Sequence, residues 1–321
     1  MNELERAVET GDPNEVLRTV EQLVERRDWA AVLDIARMCR LAVDRGKQLW
    51  GAAEHAYYRA ALHAPAEAAA ASLVESPGRF ALGPLSEVIA QHHTWAELAP
   101  YLRPSPASGW VMAERLLRGE TIGAASLNQF VEVPFALQPW ETDYELPVYS
   151  EYKLAEPRPA EPPRREAELP SQGSDVFESR RDDALAEVVA HWAAQSTGIL
   201  QTSAVEGSAE ASIAALGLRR VQIAKLSTSQ AMALIAWASA SGAAHGRRRG
   251  LATGRFEAWW LATRLLGLEW PPEADELRNR LAVLRWVAWD AYEPDQGWRL
   301  QLAVEDTENS SAWSISAQDE A

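Results

Sequence analysis

Cysteine is nearly absent: Cys39 stands alone in 321 residues. No intramolecular disulfide can form, which excludes a disulfide-stapled secreted scaffold. Histidine is scarce too. His55, His63, His92, His93, His191 and His245 make no His-Glu-x-x-His spacing and pair with no cysteines, so no metal site is expected. The Gly-x-Ser-x-Gly elbow, the phosphate loop ending in Gly-Lys-Ser or Gly-Lys-Thr, and the Gly-x-Gly-x-x-Gly fingerprint are all missing, which removes the enzymes easiest to recognise. No cofactor is expected.

A basic, apolar leader is lacking at Met1-Asn2-Glu3-Leu4-Glu5-Arg6, and a cytoplasmic location is expected. A membrane span is lacking as well. The uncharged stretch from Leu226 to Ala244 precedes Arg247, Arg248 and Arg249, but Ser227, Thr228, Ser229, Gln230, Ser239 and Ser241 interrupt it. Only Ala231 to Ala238 is strongly apolar, far short of the roughly 20 residues a span needs.

What is present begins with charge. Forty-six acidic residues against 31 basic ones give a net charge of -15, which keeps the chain soluble and disfavours nucleic acid and anionic membrane as partners. Residues 1–133 read as short helices joined by tight breaks. Asp12-Pro13 is a cap and first-turn pair, with Val16, Leu17, Val20, Leu23 and Val24 on one face. A second helix starts at Asp28, carries Trp29, Val32, Leu33, Ala36 and Cys39 inward, and stops near Gly46. Further helices fit 48–63, 65–74, 84–92, 94–102 and 106–118, with a Thr94 and Glu97 capping box. The similar openings Asp28-Trp29 and Thr94-Trp95 fit either stacked helix repeats or an irregular bundle.

Prolines crowd 134–175, and Glu156 to Gly173 holds few large apolar groups, so this stretch is expected to be a linker. Residues 176–321 form the second part: a helix through Leu185, Val188, Val189 and Trp192, strands at 219–226, 298–304 and 312–317, and a hairpin loop at 305–311. Leu277, Leu281, Leu284, Ala288 and Ala291 predict one long helix over 273–292. The expected fold is mostly α: helical hairpins, α-solenoid-like or an irregular bundle, followed by an α+β part with a small antiparallel sheet.

Two groups of residues offer chemistry. Asp290, Glu293 and Asp295 near Trp289, Tyr292 and Trp298 would suit a sugar-like cleft with acid and base roles, or the solvated end of a helix. The second group runs from Gly242 to Trp260. If this segment were helical, Ala238, Gly242, Gly246, Gly250, Gly254, Ala258 and Ala262 would form one smooth stripe. Four interior glycines would then cost roughly 4 kcal/mol against alanine, which calls for close packing or a ligand that needs bare backbone. Residues 211–256 hold Arg219, Arg220, Lys225, Arg247, Arg248, Arg249 and Arg255 and no acid, a basic island within an acidic chain. The candidate ligand site is His245, Arg247, Arg248, Arg249, Arg255, Trp259 and Trp260, either receiving an anion or pairing with the acidic remainder of the protein.

The Gly-Arg-Arg-Arg-Gly, Gly-Arg-Phe and Trp-Trp box, with Trp270-Pro271-Pro272 and Gly297-Trp298, resembles a widespread but uncharacterised bacterial protein family over the last third of the chain. The resemblance implies an established fold and supplies no catalytic residue and no substrate. The expectation is a non-enzymatic interaction protein with a basic, aromatic-flanked surface for an acidic protein or a phosphate-bearing ligand. The alternative is an enzyme acting on an anionic small molecule held by the same arginines. A closed pocket holding the arginines and a perturbed carboxylate favours the enzyme, whereas an open groove favours binding.

Overall fold

The computed structural model describes residues 3–73, 82–123, 130–141, 144–171, 180–292 and 296–320. The chain divides into two units, one of residues 1–131 and 147–156, the other of 132–146 and 157–321.

In the first unit, helices follow the signals written in the chain. They are α1 (Glu3–Thr10), α2 (Pro13–Glu25), α3 (Trp29–Asp44), α4 (Trp50–His63), α5 (Ala66–Ser72), α6 (Leu85–His92), α7 (Trp95–Leu98) and α8 (Pro106–Leu117). Asp12 caps α2 by accepting from the Asn14 amide, and Asp28 caps α3 by accepting from the Ala31 amide. Each such cap stabilises its helix by about 1 kcal/mol. The capping box of Thr94 and Glu97 is present. The two tryptophan-led helices differ in length, 16 residues against 4.

The buried face of α4 carries Ala52, Ala53, Ala56, Ala60 and Ala61, small side chains that let α2, α3 and α6 approach it closely. Cys39 is fully buried in this core, and burial pushes its thiol up to about 11. A hairpin of β1 (Val148–Tyr149) and β2 (Leu154–Ala155) completes the unit. Its main chain exchanges two bonds with the Gln91 amide, and the Tyr149 hydroxyl donates to the buried Glu87 carboxylate at 2.5 Å.

The second unit is built on β3 (Arg165–Glu168), α9 (Arg180–Glu187), α10 (Ala190–Gln195), β4 (Ile199–Glu206), α11 (Ala209–Ala215), β5 (Arg220–Leu226), α12 (Thr228–Ala240), α13 (Leu251–Leu266), α14 (Ala274–Leu281), β6 (Leu284–Asp290), β7 (Trp298–Asp306) and β8 (Ser311–Asp319). Six strands form one antiparallel sheet in the order β3-β5-β6-β7-β8-β4. The fold is therefore α+β, with a sheet larger than the small one expected.

The hairpin of β7 and β8 lies where the alternation predicts it. Asp306 shapes its turn by accepting from the amides of Glu308 and Asn309. In α12, Ala231 through Ala240 are all buried, as befits a helix that is apolar all round and sits inside a protein. No helix among the described residues is long and apolar enough to cross a membrane.

Two expectations need correction. The helix over 273–292 stops at Leu281, and residues 284–290 form β6 between β5 and β7. The apolar positions at helical spacing were coincidental with a buried run, Trp286-Val287-Ala288-Trp289, whose main chain pairs with β5 on one side and β7 on the other. The expected linker 134–175 carries β1, β2 and β3, and its residues are shared between the two units. Proline does not prevent this, because the prolines of this stretch all lie outside β1, β2 and β3.

The glycine stripe is not one helix either. α12 ends at Ala240 and α13 begins at Leu251 behind Gly250, whose φ of 98° is unfavourable for a side chain. Gly254 alone of the four glycines lies within a helix, and a Cβ there would come within 2.0 Å of the Ala236 carbonyl oxygen. Close backbone approach between α12 and α13 is thus the reason for this glycine.

Candidate functional site

The arginine segment is taken up largely by the fold. The Arg255 side chain is 4% exposed and that of Glu141 is 0%. Arg255 donates from Nε to Glu141 Oε1 at 2.7 Å and from Nη2 to Oε2 at 2.8 Å, and reaches the carbonyls of Pro134 and Ala136. Glu141 also accepts from Trp259 Nε1 at 3.1 Å, Tyr144 Oη at 2.8 Å and the Gln138 amide at 2.9 Å. Burial pushes the Glu141 carboxyl up, but the hydrogen bond and charge of Arg255 outweigh it, and the group rests below its ordinary 4.5.

The other candidates are dispersed. Arg249 donates to Glu257 at 2.7 Å, and Arg247 and Arg248 are not free. Trp259 is buried with its ring 4.9 Å from that of Trp140. Trp260 is half-buried on the helix surface under the Arg264 guanidinium. His245 is exposed, and its amide donates to Ser196 Oγ. Asp319 holds the same loop by accepting from the Ala244 amide, Ser196 Oγ and Thr197 Oγ1. Burial raises its carboxyl, but these bonds prevail and hold it below the ordinary aspartate value.

His191 sits beneath the loop. Its partner through Nε2 is the Ser241 carbonyl at 2.6 Å, so Nε2 carries the proton and Nδ1 is a buried acceptor without a partner. Burial pushes His191 down to about 4 against the raising effect of the Ser241 bond, with Arg249 adding to the depression.

Of the carboxylate trio, Asp290 is paired with Arg164 at 3.2 Å, while Glu293 and Asp295 lie outside the described residues. Among the described residues no three His, Cys, Asp or Glu side chains converge as a metal would require. In the first unit, Arg59 donates to Glu21 and Glu151, and His55 lies 2.5 Å from Glu21, an ion network that ties α4 to α2 and to the β1–β2 turn.

A different feature combines polar chemistry with space. On one face of the six-stranded sheet, α11 covers the strand ends around Ser203 and Ser314, whose hydroxyls both donate to the Ser212 carbonyl. Arg285 fastens that end through Glu210 and Glu305. α11 is seven residues long and stops before Gly217, so the rest of the face is left as a hollow of about 160 Å³.

Gln201, Ser316 and Gln301 lie side by side on β4, β8 and β7 in one register row, with Gln318 in the next. Trp289, Ile199, Leu216, Leu218 and Ala291 complete the lining. Among the described residues no lining side chain is ionisable. Trp289 is buried and its indole Nε1 has no hydrogen-bond partner. Arg299, in the same row as Gln318 and on the same face, is buried and lies 4.0 Å from Glu320.

None of these glutamines was singled out from the sequence. The available signal was polar residues at alternate positions of Leu300-Gln301-Leu302 and Ile315-Ser316-Ala317-Gln318, where both faces of the strand are otherwise buried.

The model of a family of unknown function (DUF6183) matches residues 14–321. No curated protein and no solved structure matches the chain.

Proposed function

Since the chain belongs to DUF6183, a family of unknown function that supplies no activity to carry over, we propose from the geometry that it is a non-enzymatic interaction protein whose partner sits on the glutamine-lined hollow of the sheet. The observation that supports this reading is the lining itself, which among the described residues holds amides, one hydroxyl and apolar groups but no acid, base or activated nucleophile. General acid–base and nucleophilic catalysis both require such a group within hydrogen-bond reach of the reacting atom. The side-chain amides of Gln201 and Gln318 instead offer paired donors and acceptors that fix a bound partner's orientation.

The arginine segment serves this reading as scaffold. An enzyme holding an anionic substrate would need exposed guanidiniums, and Arg255 and Arg249 are committed to Glu141 and Glu257.

The test is site-directed photocrosslinking in the native host, with a benzophenone amino acid replacing Gln318 or Gln201, and Arg264 of α13 as control. A discrete crosslinked product from both hollow positions and none from the control is expected. Products of equal strength from all three, or none from the hollow, would overturn the proposal.

A further inference from the structure

We infer that the partner enters as an extended peptide strand added to the outer edge of β4, with its side chains falling alternately into two hollows that flank this edge. The inference rests on the interaction reading above and names the form of the partner.

The two edges of the sheet are chemically opposite. β3, at one end, is four residues long and reads Arg165-Glu166-Ala167-Glu168 with its charged members exposed. Short length and charge are how sheet proteins prevent pairing with another chain. β4, at the other end, pairs with β8 alone among the described residues. From Ile199 through Val205 it carries no charge, no proline and no glycine. Ile199 is 63% exposed, Gln201 is exposed, and Leu200 and Thr202 are half-buried. Over residues 199–202 this edge has no main-chain partner among the described residues and no protective residue, which makes it a template for an incoming strand.

Successive side chains of a strand point to opposite faces. Ile199 and Gln201 accordingly line the glutamine hollow, while Leu200 lines a second, open hollow of about 560 Å³ on the other face. Its remaining wall is made by Ala186, Ala190, Ala193 and Ala194 of α9 and α10 with Asp183 and Glu187, the charged lining residues among those described. A strand laid along β4 places every second side chain over Gln201, Ser316 and Gln318, and the others over Leu200 and the alanines.

The partner segment therefore alternates amide or hydroxyl side chains with aliphatic ones. Asp183 and Glu187, on a chain of net charge -15, select a basic residue at its flank.

The experiment uses the full chain and an array of heptapeptides with lysine at both ends, Gln, Asn, Ser or Thr at positions two, four and six, and Ala, Val, Leu or Ile at positions three and five. Shuffled peptides of the same composition serve as controls. The strongest binder is then remade with backbone N-methyl groups at positions two, four and six, or at three and five. Only one of these sets faces β4.

One methylated form should lose binding about tenfold or more, as expected for two or three main-chain hydrogen bonds, while the other stays within about twofold of the parent. Leu200→Asp should weaken the parent peptide by a similar factor. Its circular dichroism spectrum should match that of the wild type, and Ala215→Asp, outside both hollows, should bind as the wild type does. If no array member outperforms its shuffled control, or if both methylated forms bind equally, strand addition is overturned. A concentration-dependent dimer abolished by Leu200→Asp would also overturn it, by assigning the edge to a second copy of the chain. The crosslinking from Gln318 judges the interaction reading separately, so a positive crosslink with a negative array removes the peptide and leaves the binding face.

Discussion

The Arg255 guanidinium and the Glu141 carboxylate, 114 residues apart in the chain, face each other through two parallel bonds in a place neither shares with solvent. The pair fastens residues 132–141 to α13. A charge buried this way is expensive to orphan, whatever the pair is worth against an apolar replacement.

Arg255→Met leaves a buried carboxylate with no countercharge, and urea unfolding should show a loss of about 3 to 5 kcal/mol. A loss below about 0.5 kcal/mol, the usual effect of a surface change, would mean that the guanidinium is free for a ligand. The pH dependence has a fixed sign. Glu141 has its folded-state value lowered from 4.5, so its stabilisation is complete above that value and is lost as pH falls through the lower folded value.

Gly254→Ala places a methyl group against the Ala236 carbonyl oxygen, a backbone atom that cannot swing aside. The expected loss is about 3 kcal/mol, the upper part of the usual overpacking range. Gly123→Ala has no neighbouring atom within 4 Å among the described residues and no positive φ, so it should melt with the parent. Equal melting temperatures for the two variants would refute the close approach of α12 and α13.

His191 gives a separate pH window. Its folded-state value of about 4 lies below the ordinary 6.5, so the unfolded chain binds the proton first and stability falls as pH drops from 6.5 towards 4. The fall attributable to this residue is on the order of 3 kcal/mol across the window. His63 and His92 are shifted in the same direction, chiefly by burial, so only a comparison isolates His191. His191→Gln retains a donor for the Ser241 carbonyl and should show a shallower slope between pH 6.5 and 4 in urea titrations. An unchanged slope would contradict the buried neutral imidazole.

Much of the first unit was legible from local signals, because a cap acts within three residues and an amphipathic stripe within a few turns. Asp12, Asp28 and the Thr94–Glu97 box mark helix starts that the structure bears out. The hairpin of β7 and β8 was legible for the same reason, since strand, turn and strand are contiguous.

Residues 284–290 show where local reading ends. Leu277, Leu281, Leu284 and Ala288 satisfy a helical period, yet β5 and β7 supply hydrogen bonds on both sides and turn the second half into a strand. The arginines were recognisable from the sequence as a basic island. Whether they would meet a ligand or a carboxylate depended on where Glu141 and Glu257 lie once the chain is folded. The glutamine hollow depended on tertiary structure still more: Gln201, Gln301 and Gln318 come from three strands, and only sheet order and register place them together. Sequence by itself determined the elements whose stabilising partners lie within a turn or a hairpin. Tertiary structure alone decided β6, the fate of the arginines and the open edge of β4, because the partners that settle these lie from eight to more than a hundred residues away.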